Sequence, residues 1–262
     1  MSLVYSAIVP HPPILIPSIG KENLSKLEET NRAFERIRKE IIKNEVDTIF
    51  IISPHGTVQP KAFTINLSPE FHCDFRNFGD LETTKSWPGN VSLAHRIREQ
   101  LETKAPLQMT TTHELDHGSA VPLFLLTKDL KNIKIIPLYY SGLNYDAHFK
   151  FGQLLKRELL FHKDRIAVIA SGDLSHRITK EAPAGYSPKG KKFDKKFIDL
   201  LKQNKTEEIL KMDHELIHEA GECGLKSILI LLGILDGIKH TPKIHSYEHP
   251  FGVGYLTMSF EL

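Results

Sequence analysis

Cysteine is scarce: two residues, Cys73 and Cys223, in a chain of 262. Two cysteines cannot build a disulfide framework, and no C-x-x-C pair offers a closed structural zinc site; this usage fits a reducing compartment. Long apolar runs are missing too. Stretches such as Ile228 to Leu232 fall far short of the ~20 residues a transmembrane helix needs. The start lacks a basic n-region, and Pro10, Pro12 and Pro13 interrupt its apolar stretch, so no secretory signal is expected. Neither sign of charge prevails: 34 basic residues face 32 acidic ones, a formal net charge of +2. That balance asks for neither nucleic acid nor an anionic membrane. The dense Lys-Gly-Lys-Lys patch at 189–192 is read as a solvated loop. Internal repeats, low-complexity tracts and Pro/Gly/Ser-rich linkers are also lacking. One domain over 1–262, soluble and cytoplasmic, is the expectation.

Histidine is what the chain does have, fourteen in all, and their placement matters more than their number. Val4–Val9, Thr48–Ser53, Ile133–Tyr139 and Ile166–Ala170 are short apolar runs, mostly continuous and rich in β-branched residues, as in strands covered on both faces. Amphipathic or apolar helical spacing follows in Lys21–Lys43, Val91–Glu102, Ala120–Lys128, Ala147–Leu160, Lys191–Gln203, Glu207–Ile217 and Gly224–Leu235. Phe63–Leu67, Ile244–Tyr247 and Gly254–Phe260 read as further strands, and 180–190 as a surface loop suited to a lid. The alternation predicts an α/β fold with a mostly parallel central sheet flanked by helices. Sites in such folds gather beyond the carboxyl ends of the strands.

Three predicted strands leave the sheet by presenting a histidine. AIVPHPP (7–13) leads to His11, TIFIISPHG (48–56) to His55, and AVIASGDLSH (167–176) to Asp173 and His176. In a parallel sheet those ends share one edge, so the imidazoles can converge. Neutral imidazole is both the commonest metal ligand and an acid/base group near neutral pH. Pro10 and Pro54 restrain the backbone that aims the first two rings. ELDHGSAVPLF (114–124) adds Asp116, a candidate helix cap, and His117. HEAGECG (218–224) offers Glu219 and Glu222 before an apolar helix, either as dipole-favoured residues or as a carboxylate ligand. Two histidines and a carboxylate make the facial triad that binds non-haem Fe(II) with positions left open.

HELDH (113–117) and HELIH (214–218) both match H-E-x-x-H, a zinc motif only where it lies on a helix. HELDH runs into Gly118 and a turn. HELIH sits at the end of a predicted helix, but its extended form needs a histidine at 224, where Gly224 stands.

PHPP, SPHG, DHG before VPL, SGDLSH and a late GECG, in that order over residues 10 to about 233, resemble the LigB superfamily, the class III extradiol ring-cleavage dioxygenases and their relatives. The resemblance implies Fe(II) held by His11, His55 and a glutamate before the late helix: Glu222, with Glu219 as runner-up. It implies His176 as the acid/base residue and His117 as a second histidine facing the substrate. It also implies a catechol-type aromatic diol and O2 as reactants, and self-association into a homo-oligomer. Cys223-Gly224 departs from this pattern and is similar to the Memo-like branch, where a cysteine takes the carboxylate's place. That branch implies metal binding without established ring cleavage; Zn(II) on the same scaffold is a further alternative. The stretch 68–88 with Phe71, Phe75, Phe78 and Trp87, and the trio Tyr247, Glu248 and His249, are candidate pocket elements.

Overall fold

The computed structural model describes residues 2–262. Among the described residues ten strands form in chain order: β1 (Leu3–Val9), β2 (Thr48–Ser53), β3 (Phe63–Asn66), β4 (Glu70–Phe75), β5 (Asp80–Pro88), β6 (Leu107–Thr110), β7 (Lys134–Tyr139), β8 (Ile166–Ser171), β9 (Thr241–Glu248) and β10 (Tyr255–Glu261). Eight of them build one sheet in the order β6-β3-β7-β2-β8-β1-β10-β9, and β4 pairs with β5 as a separate hairpin. The central strands β7, β2, β8 and β1 are mutually parallel. Direction reverses at β3 on one side and β10 on the other. This is the α/β class with a mostly parallel sheet and flanking helices.

Every residue of β2 and β8 is buried, which is why these strands read as continuous apolar runs. Side chains still alternate between faces. Phe50 and Ile52 join one core with the helices Val91–Leu101, Tyr145–Leu160, Pro188–Lys202 and Leu225–Leu235. Ile49 and Ile51 join the opposite core with Glu28–Lys43, His117–Leu126 and the β4–β5 hairpin. Parallel neighbours place the carboxyl ends of β1, β8 and β2 side by side on one edge.

Several sequence expectations shift. Residues 189–192 lie not in a loop but in the first turns of the Pro188–Lys202 helix. Pro188 suits the first helical position, the Ser187 hydroxyl accepts from the Lys189 amide, and Phe193 and Phe197 bury the inner face. The helix expected over 207–217 is two, Thr206–Leu210 and His214–Ala220; Asp213 starts the second by accepting from the Glu215 amide. The β4–β5 hairpin and β6 carry no clear periodicity, so they lie outside the elements the sequence predicts.

Candidate metal centre and active site

His11 follows β1 and is buried at 2% exposure; its backbone N–H donates to Asp173 Oδ1 at 3.0 Å. That bond ties the end of β1 to the turn after β8. His55 follows β2 and opens to solvent. His117 is the first residue of its helix, just after Asp116, whose carboxylate caps that helix by accepting from the Ser119 amide and hydroxyl. The three rings form one cluster: centroids of His11 and His55 are 4.8 Å apart, His55 and His117 stack at 4.3 Å, and His11 and His117 lie 5.5 Å apart.

His11 Nε2 and His55 Nε2 face each other at 3.0 Å, and Cys223 Sγ lies 3.7 Å from His11 Nε2. These three donors form one group that can hold a metal ion; Asp173, His176 and Cys223 form a second group that shares the thiol. The spacing fits a metal. Metal–N bonds of about 2.0–2.1 Å and metal–S bonds of about 2.3 Å put donors roughly 3.0–3.6 Å apart around one ion, so only a small shift of the thiol from 3.7 Å is needed. Burial, with His117 nearby, keeps His11 neutral far below the usual imidazole range. Burial, His11 and His117 bring His55 down to about 3. Neutral rings are the form that binds metal.

The carboxylate expected first at the third position is turned elsewhere. Glu222 Oε2 accepts from the Leu225 amide at 2.5 Å, at the start of the Leu225–Leu235 helix, and burial pushes its carboxyl up to about 7. Glu219 also lies outside the group: its Oε2 accepts from the Ser187 hydroxyl and sits 3.6 Å from Arg177 Nη1. Cys223 is the residue brought to the histidines. Its loop comes close because neither glycine at the contact has a side chain: a Cβ on Gly172 would fall 2.2 Å from Gly224 Cα. The Asp173 amide, 3.3 Å from Cys223 Sγ, donates toward the sulfur.

His176 belongs to the second donor group. Its Nδ1 lies 2.7 Å from the Gly221 carbonyl, an acceptor only, so Nδ1 carries the proton and Nε2 is left as a base, 3.8 Å from Asp173 Oδ2. Asp173 is 5% exposed, and burial raises its carboxyl above the ordinary range while His176 and the His11 amide pull it back. Phe78, at the tip of the β4–β5 hairpin and 39% exposed, packs its ring 5.5 Å from that of His117. Phe71, Phe75 and Trp87 are ordinary core.

The remaining candidates stand apart. His113 belongs to no helix and bonds Ser68 Oγ at 3.0 Å. His214 and His218 are exposed on their helix and join no donor group among the described residues. Tyr247 donates to Asp194 at 2.7 Å, and Glu248 anchors Thr30 in the first turn of the Glu28–Lys43 helix. Asp173 is marked with His176 by its place after a strand, but Ser171, within the same SGDLSH, carries no functional signal until its partners are seen. Phe78 had none beyond being aromatic.

Among known proteins, the chain is 35% identical over its whole length to Protein CA_C1420 of Clostridium acetobutylicum, of which it spans 58%. It is 24% identical to 3,4-dihydroxyphenylacetate 2,3-dioxygenase of Escherichia coli, covering 81% of this chain and 82% of that one. It is 28% identical to 4,5-DOPA dioxygenase extradiol of Beta vulgaris over 70% of each. The crystal structure of an uncharacterized Escherichia coli K12 protein, JW3007, has the same fold: TM-score 0.71 at 18% identity, covering 98% of this chain and 99% of the other. Residues 5–258 match the family described as the catalytic LigB subunit of aromatic ring-opening dioxygenase, and the chain belongs to that LigB family.

Proposed function

We propose that the chain is an Fe(II)-dependent extradiol dioxygenase that opens a catechol-type aromatic diol with O2, with the metal held by His11, His55 and Cys223. The observation that supports this most is that four histidines and Asp173, from four separate segments, meet at one sheet edge. Holding an ion does not require His117 and His176, whereas proton chemistry on a diol does. When bound, iron supplies the redox centre through which an aromatic ring and dioxygen can react. His176 Nε2 is free to take a proton from a substrate hydroxyl, and Asp173 beside it steadies the resulting imidazolium. His117 stands ready as a proton donor to the opening ring, with Phe78 forming an apolar wall next to it. A positioned acid or base is worth about 10²–10⁴ in rate.

One observation favours a second reading, Memo-like metal binding without ring cleavage or a zinc-dependent role: the third donor is a thiol, and thiolate suits Zn(II) as well as iron. Anaerobic loading with Fe(II) or Zn(II), followed by an oxygen-uptake assay on a panel of catechols, separates the two. Oxygen uptake matched by a ring-opened product with the iron-loaded protein supports the dioxygenase. Preferred zinc binding, with no uptake on any diol, moves the assignment to the second reading.

A further inference from the structure

Ser171 closes β8 and is fully buried. Its Oγ lies 2.5 Å from the carbonyl oxygen of Gly118 and 2.9 Å from Nδ1 of His11. A carbonyl oxygen has no hydrogen to give, so the contact with Gly118 exists only if Ser171 donates its single hydroxyl proton there. The hydroxyl then offers His11 nothing but lone pairs, and Nδ1 must be the donor. We infer that Ser171 is a positioning residue that fixes His11 as the Nδ1–H tautomer, leaving Nε2 bare toward His55 and Cys223.

The opposite arrangement, with Ser171 donating to Nδ1, would put a proton on His11 Nε2 and turn an N–H into the site. A ring in that form cannot bind a metal through Nε2 without first exchanging its proton. The Gly118 carbonyl thereby selects the ligand form of His11 through the Ser171 hydroxyl. Gly118 follows His117, so the same hydroxyl ties the end of β8 to the helix that carries His117. The approach needs glycine: a Cβ at 118 would lie 2.6 Å from Ser53 Oγ and 3.2 Å from the His55 ring. Partners that orient ligand histidines typically carry a 10–100-fold share of metal affinity.

This inference deepens the metal-site reading, but the tautomer belongs to the metal-free protein and is measured without activity. Two-bond ¹H–¹⁵N correlation spectra of metal-free, ¹⁵N-histidine-labelled protein report the tautomer of each ring, with His11→Gln identifying the His11 signals. Nδ1–H at His11 in the wild type is expected; Nε2–H, or an even mixture, would overturn the inference. Ser171→Ala should lose that preference and weaken Zn(II) binding about 10–100-fold in chelator competition, with Ser171→Thr restoring most of it. An unchanged tautomer and unchanged zinc affinity in Ser171→Ala would also overturn it. Should Ser171→Ala fail to fold, the wild-type spectrum alone decides. Nδ1–H in a wild type that binds no metal would support the inference while removing the metal assignment.

Discussion

His11 Nε2 and His55 Nε2 stand nitrogen to nitrogen at 3.0 Å, a spacing that one N–H or one shared ion can satisfy. With His11 as the Nδ1–H tautomer, an Nε2–H on His55 can donate to His11 Nε2; a bound ion would instead take both lone pairs. His11→Ala and His55→Ala should each abolish tight metal binding, measured as metal per chain after removal of excess. Full metal content in both variants would rule out the assignment.

Cys223 and Glu222 separate by the same measurement. Cys223→Ala should release the ion or weaken it severely. Glu222→Gln should keep the ion and leave thermal stability nearly unchanged, because the glutamine Oε1 can still accept from the Leu225 amide. The reverse pattern would return the third position to the carboxylate.

His176→Ala is expected to lower turnover about 10²–10⁴-fold with metal content unchanged. Loss of the metal in that variant would make His176 a ligand rather than an acid/base residue.

Asp194 is fully buried, accepts from Tyr247 and from the Ser175 amide, and burial raises its carboxyl to about 7. The folded state therefore holds this proton more tightly than the unfolded chain, where the carboxyl titrates near 3.8. Its contribution is fully present below about pH 4 and is lost as pH rises toward 7, by at most about 1.4 kcal/mol per pH unit. Asp194→Asn should flatten that slope in denaturant unfolding followed against pH. An identical slope in the variant would mean the proton sits elsewhere.

Gly172→Ala should push the Cys223 loop off the end of β8, because the new Cβ would overlap Gly224. Weaker metal binding in a variant that retains its secondary structure is the expected result, read by chelator competition and circular dichroism. Unaltered affinity would show that the loop can yield without moving the thiol.

The sheet was legible because its central strands are buried on both faces. Thr48–Ser53 announces itself as an unbroken apolar run, and the Pro-His that follows marks where the chain must leave the core. From strand ends alone, the convergence of His11, His55 and His176 could be foreseen, since parallel neighbours bring their exits to one edge. His117 and the Asp116 cap were readable for a related reason: a capping carboxylate before an apolar helix is a local signal.

What the sequence could not decide was which way adjacent side chains turn. Glu222, the expected ligand, and Cys223, a runner-up, are neighbours, and only the packed loop separates them. The Leu225 amide captures the carboxylate, while the close backbone contact of Gly172 with Gly224 delivers the thiol to the histidines. HELDH has the letters of a zinc motif, yet the helix starts at its last residue, so His113 and His117 never share a face. Ser171 and Asp173 gain their meaning from Gly118 and His11, 53 and 162 residues away in the chain, and Phe78 from His117 on a separate helix. Local patterning fixes where strands end and helices begin, because backbone hydrogen bonding and burial repeat with short periods. Hydrogen-bond direction and side-chain aim depend on partners distant in sequence, and only the folded chain supplies them.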